Sequence, residues 1–122
     1  MGERILIVDD DPLLCSLLRM ALGRAGYEPV EAYAGDAALS YLADNAVDLI
    51  LLDVMMADVN GFDVLRKVKA DPDLNDIPVI FLTARVDAIS QKTGLDIGAV
   101  EYLTKPITPE DLLDRVQSVL GN

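Results

Sequence analysis

Three short stretches, residues 4–8, 49–52 and 79–82, are almost continuously apolar and stop abruptly at polar or turn residues. Runs of this length without alternation are expected of strands covered on both faces, which places them in the middle of a parallel sheet. Two further stretches, 29–33 and 100–104, mix polar with apolar residues, and the first contains Pro29, which cannot donate to a ladder. Both read as edge strands.

Between these runs the period becomes helical. Asp11 can cap a helix with Pro12 at its first position and Leu13, Leu14, Leu17, Leu18, Ala21 and Leu22 as its stripe, with Gly23 and Gly26 near its end. A second helix is predicted over 36–45, and a third over 62–70, with Val64, Leu65 and Val68 inward and Pro72 limiting it. The fifth starts at Pro109 behind Thr108 as cap and carries Leu112, Leu113, Val116, Val119 and Leu120 on one side. The fourth, 87–97, contains Gly94 and has only a thin apolar face of Ile89, Leu95 and Ile97, which marks it as the most mobile helix. Five strand-helix repeats predict an α/β fold: a (βα)5 doubly wound, five-stranded parallel sheet of flavodoxin-like type with right-handed crossovers. If the first, third and fourth strands are central, the order is 2-1-3-4-5.

At 122 residues the chain is one domain's worth, and a single domain over 1–122 is expected. The 21 acidic residues against 10 basic ones give a net charge of -11, and no Lys/Arg run interrupts them, which argues against direct contact with nucleic acid or an anionic membrane. Cys15 is the only cysteine and there is no histidine, so internal disulfides, Cys/His metal sites and histidine acid/base chemistry are excluded. Any metal site must use oxygen ligands. No segment has the length of a signal peptide core or a membrane span, so a cytoplasmic location is expected.

The first strand runs straight into three aspartates, ILIVDDDP over 5–12. Adjacent carboxylates oppose one another's ionisation and need either solvent or a compensating cation. In a doubly wound sheet the ligand crevice lies beyond the carboxyl ends of the strands at the switch point, here between strands one and three. Strand one ends at Asp9 and Asp10, strand three at Asp53, strand four at Thr83 and strand five at Lys105. Three carboxylates without His or Cys form an oxygen site suited to a hard divalent cation, for which Mg²⁺ is the natural candidate. With the cation present, Asp53 could attack a phosphoryl group in line, Lys105 could neutralise charge on it and the Thr83 hydroxyl could donate to it. The product would be an aspartyl phosphate. Thr83 also stands where it could cap helix four.

The strings ILIVDD, LLDVMM, PVIFLTA and EYLTKP, in that order, resemble the receiver domain of two-component response regulators, over essentially the whole chain. The resemblance implies that Asp53 is the phosphoacceptor, Asp10 a direct Mg²⁺ ligand, Asp9 a ligand largely through water and Met55 a ligand through its backbone carbonyl. Asp11 is left as the helix cap. It further implies a cis peptide at Lys105-Pro106, Thr83 and Tyr102 as the pair that reshapes the surface of helix four, strand five and helix five, and Met55 and Arg85 as the positions that set the lifetime of the phosphoform. The phosphoryl donor would be a sensor histidine kinase or a phosphotransfer protein, met at an apolar patch near Leu14, Cys15 and Leu18. The recipient of the signal would be a downstream protein or an output domain. Asp96, Glu101 and Arg115 would be the residues of a phosphorylation-dependent homodimer, although Gln91 and Val100 stand where charge would help. Ala57 replaces a frequent proline and Ile107 a frequent phenylalanine. The chain would be catalytic only toward itself. Two other readings compete: a phosphorylation-independent interaction domain of the same fold, and a phosphatase of the haloacid dehalogenase type. For the latter, Asp9 and Asp11 form the required D-x-D, but Leu13 stands where Thr or Val is wanted.

Overall fold

A computed structural model describes residues 2–121. The elements run β1 (Arg4–Val8), α1 (Pro12–Arg24), β2 (Glu28–Ala32), α2 (Gly35–Asp44), β3 (Leu49–Leu52), α3 (Gly61–Ala70), β4 (Val79–Thr83), α4 (Ala88–Ile97), β5 (Glu101–Thr104) and α5 (Pro109–Leu120). All strand pairs are parallel and the sheet order is β2-β1-β3-β4-β5, as the apolar pattern predicts.

Alternation inside the apolar runs builds two cores, one on each side of the sheet. Ile5, Ile7, Leu49, Leu51, Ile80 and Leu82 meet α1 and α5, whereas Leu6, Val8, Ile50, Leu52, Val79 and Phe81 meet α2 and α3. Because successive strand residues point to opposite faces, each central strand must be apolar at every position, and that is the run seen in the sequence.

Three expectations shift. The second strand begins and ends one residue early, because Glu28 pairs with Arg4 in the ladder and through an ion pair of 2.9 Å, which leaves Tyr33 outside the sheet and exposed. On α1 the buried residues are Cys15, Leu18 and Leu22, spaced i, i+3, i+7, while Leu13 and Leu17 from the expected stripe face solvent. On α4 the inward residues are Ser90 and Gly94, and Ile89 and Leu95 are exposed. Ser90 tolerates burial because its hydroxyl donates to Asp87, and Gly94 faces inward because the rings of Phe81 and Tyr102 lie where a side chain would be.

Among the described residues, no helix is long and apolar enough to cross a membrane.

Candidate functional site

Register carries the acidic residues together. Val8 is paired with Leu52 across β1 and β3, so the next residue on each strand, Asp9 and Asp53, emerges at the same edge. Both are buried, while Asp10 is exposed. One carboxylate oxygen from each of Asp9, Asp10 and Asp53 lies within 4.8 Å of the others.

The Lys105 ammonium donates to Asp9 Oδ2 at 2.7 Å and to Asp53 Oδ2 at 3.4 Å. The Lys105-Pro106 peptide is cis, and the Lys105 amide donates to the Thr83 carbonyl at 2.8 Å. Thr83 itself is fully buried at the end of β4.

Asp9, Asp10 and Asp53 against Lys105 leave a formal surplus of two negative charges in one crevice. Burial raises the Asp9 carboxyl above its ordinary value, against the lowering by its hydrogen bonds to Lys105 and the Asp11 amide, and the Asp53 charge adds to the rise. Burial opposes the Lys105 ammonium, yet its hydrogen bond to Asp9 and the charges of Asp53 and Asp9 outweigh it and raise its pKa. Both groups therefore hold protons more tightly than usual, as a pocket short of positive charge should. An all-oxygen, doubly negative set fits a hard divalent cation.

Asp11 lies outside this set. Its carboxylate caps α1, accepting from the Leu13 and Leu14 amides, so it does not complete a phosphatase-type D-x-D pocket with Asp9. Nor is Thr83 the cap of α4. That cap is Asp87, which accepts from the Ser90 amide, while the Thr83 hydroxyl accepts from the Arg85 amide at 3.2 Å.

Residues 5–117 match the response regulator receiver domain. The chain belongs to this family. It is 40% identical over 120 residues to the phosphate regulon transcriptional regulatory protein PhoB of Pseudomonas aeruginosa, covering 98% of this chain and 52% of that protein. It is 42% identical over 118 residues to the transcriptional regulatory protein CpxR of Klebsiella pneumoniae, covering 97% and 49%. The receiver spans about half the length of these curated relatives. Among solved structures, the chemotaxis protein CheY4 of Vibrio cholerae superposes with a TM-score of 0.93 at 31% identity, covering 98% of this chain and all of that one. The signal receiver domain of a Syntrophus aciditrophicus signal transduction histidine kinase gives 0.91 at 34%, covering 98% and 91%.

The receiver's remaining expected residues lie on the β3–α3 and β4–α4 loops, α4, β5 and α5. The Met55 amide donates to Asp53 Oδ1 at 3.3 Å and its side chain is exposed. The Arg85 guanidinium is turned to Asp87 at 3.0 Å, and the Arg85 carbonyl accepts from the Tyr102 hydroxyl at 2.7 Å. One residue of the β4–α4 loop thus bonds to both Thr83 and Tyr102. Asp96 is already engaged by Lys92, one helical turn away at 2.7 Å, and Arg115 is exposed on α5.

The apolar patch on α1 is composed differently from expectation. Cys15 and Leu18 are buried, and Cys15 donates its thiol to the Asp9 carbonyl with its pKa pushed up by burial to about 12. The exposed apolar surface is made by Leu13, Leu17 and Met20. Leu14, Leu17 and Met20 line a groove with Ile107 and Leu113 beside α5.

Two further participants were not read from the sequence, Asp58 and the Ala57 amide. Asp58 accepts from the Gly35 and Asp36 amides at 3.1 Å each, and the Ala57 amide donates to Asp10 Oδ2 at 3.1 Å. Nothing in a one-dimensional pattern points to a bond across 22 residues or to a main-chain donor.

Proposed function

We propose that Asp53 accepts a phosphoryl group from the phosphohistidine of a sensor histidine kinase or phosphotransfer protein, in a Mg²⁺-dependent reaction. The observation that carries this reading is the convergence of Asp9, Asp10 and Asp53 within 4.8 Å beside a lysine that touches two of them.

Asp10, Asp53 and the Met55 carbonyl would hold the cation directly, with Asp9 acting through water, and the cation would offset negative charge on the incoming phosphoryl group. The Asp53 carboxylate attacks phosphorus in line; the bond from its oxygen to phosphorus forms as the phosphorus–nitrogen bond to the donor imidazole breaks, and nitrogen keeps the electron pair. Lys105, already ion-paired to Asp53, stays against the phosphoryl oxygens. The Thr83 hydroxyl, which accepts from the Arg85 amide, then turns to donate its proton to a phosphoryl oxygen and gives up that amide. Arg85 also accepts from Tyr102, so this exchange loosens the tyrosine's tie to the β4–α4 loop and favours its inward position. The altered surface of α4, β5 and α5 is what a downstream protein or output domain would read, and Asp96, Glu101 and Arg115 lie on it for a phosphorylation-dependent homodimer. The chain catalyses only its own modification. Met55 cannot orient an attacking water and Arg85 is engaged elsewhere, which gives a long-lived phosphoform.

The test is intact mass after incubation with acetyl phosphate and Mg²⁺, beside Asp53→Asn and a sample with EDTA. One added phosphoryl group, lost in both controls, is expected, and its decay is expected to be faster in Met55→Asn. No gain in the parent would favour a phosphorylation-independent interaction domain.

A further inference from the structure

The β3–α3 loop is fastened on two opposite sides by adjacent residues. The Ala57 amide donates to Asp10, in the acidic crevice, while the Asp58 carboxylate reaches away from the crevice to the start of α2. That helix needs an outside partner. Its N-cap residue is Ala34, which has no side chain to bond the first-turn amides. Asp58 supplies both oxygens, Oδ1 to the Gly35 amide and Oδ2 to the Asp36 amide, so a loop residue caps a helix 22 positions earlier in the chain. The helix N-terminus also carries partial positive charge, which favours a carboxylate there. Consistent with this, the Asp58 carboxyl is held below its ordinary value, first by the Asp36 amide and then by the Gly35 amide. Val59 adds a steric register: a Cβ on Gly35 would collide with its side chain.

Resting on the phosphoacceptor reading above, we propose that Asp58 is a positioning residue for the cation site: by anchoring the loop to α2 it holds the Ala57 amide on Asp10 and the Met55 backbone beside Asp53. Ala57 has ordinary backbone freedom, so nothing within the loop's own covalent structure fixes that amide toward Asp10. The Met55–Asn60 bridge closes the base of the loop, and Asp58, next to Ala57, fastens its tip. Asn60, which caps α3 through the Phe62 amide, secures the far end of the same loop. Asp58 touches neither the cation nor the phosphoryl group. Its effect passes through Asp10.

The experiment is titration of the full chain with Mn²⁺, a stand-in for Mg²⁺, followed by the electron paramagnetic resonance of the free ion. The proteins compared are the parent, Asp10→Asn, Asp58→Ala, Asp58→Asn and Thr108→Ala. Thr108 caps α5 and removing it perturbs stability away from the loop. Asp58→Ala is expected to weaken Mn²⁺ binding roughly 3- to 10-fold, less than the roughly 10- to 100-fold that loss of a direct support of a ligand costs. Asp58→Asn, which keeps one acceptor oxygen, should fall between that and the parent, and it serves alone if Asp58→Ala does not fold. Thr108→Ala should lower Tm and bind as the parent does. Parent-like affinity in both Asp58 variants, or equal weakening in Thr108→Ala, overturns the proposal. If Asp10→Asn binds as tightly as the parent, the crevice is not the cation site, and the positioning role falls with it.

Discussion

Helices α4 and α5 flank the same edge strand and are secured in different ways. α5 turns Leu112 and Val116, both fully buried, into the core shared with α1, and its period can be read from the sequence without error. α4 buries only a serine and a glycine and leaves Ile89 at 79% exposure and Leu95 at 48%. In place of apolar area it has a hydrogen-bonded start: Asp87 joins Ser90 to Arg85, and Arg85 joins Thr83 to Tyr102. Apolar burial is non-directional, whereas a hydrogen bond depends on distance and angle and can be traded for another partner when a side chain turns. The helix beside the proposed switch is therefore the one whose attachment can be exchanged.

The largest expected effect lies on α5. Leu112→Ala removes a side chain with no solvent exposure and should cost about 2 to 5 kcal/mol, the range for cavities left by truncated core leucines. Ile89→Ala on α4 should change stability by no more than about 0.5 kcal/mol, as exposed positions do. Urea denaturation of the two variants measures the contrast, and similar losses would break the comparison at its root.

Gly94→Ala asks whether α4 is packed closely despite its thin apolar face. A Cβ there would lie 3.1 Å from both the Phe81 and Tyr102 rings. Phe81 is fully buried and meets Phe62 edge-on at 5.4 Å, so it cannot retreat, and Tyr102 must move. Overpacking costs about 1 to 3 kcal/mol, against about 1 kcal/mol gained in helix propensity, for a net loss of about 1 kcal/mol. The near-ultraviolet circular dichroism of the tyrosines should change with it. A stabilised variant would mean that Tyr102 yields freely and that only the hydrogen bonds hold α4.

The same contrast explains what the sequence conveys. The strand order, the Asp11 and Thr108 caps and the acidic crevice were legible because unbroken apolar runs, local cap signals and strand ends leave marks within a few residues. Helix rotation was less so. On α1 and α4 apolar residues stand on both faces, so counting them selects Leu13, Leu17, Ile89 and Leu95, while burial falls on Cys15, Ser90 and Gly94. What decides is the shape of the opposite surface: Phe81 and Tyr102 leave room for a glycine and no more. Bonds between distant segments, such as Asp58 to α2, leave no mark at all. Thr83 precedes α4 and has a capping hydroxyl, but the chain needs four more residues to reach the helix, and Asp87 stands there.

The smallest effects separate the two helix caps. Thr108 accepts from the Asp111 amide at 3.1 Å and does not titrate, so Thr108→Ala should cost about 1 kcal/mol at any pH where the protein is folded. Asp87 accepts from the Ser90 amide, the Ser90 hydroxyl and the Arg85 guanidinium, in that order of influence, and its carboxyl is held down to about 2. Because the unfolded chain then binds that proton more readily than the folded one, the contribution of Asp87 is complete above the ordinary carboxylate value and is lost as pH falls through about 2. The site is open to solvent, which keeps the effect small. In thermal denaturation, the gap in Tm between the parent and Asp87→Ala should be widest near neutral pH and close as the pH approaches about 2. The Thr108→Ala gap should persist over the same titration. A constant Asp87 gap would mean that the neutral acid caps α4 as well as the carboxylate does, and the electrostatic half of the contrast between the two helices would be gone.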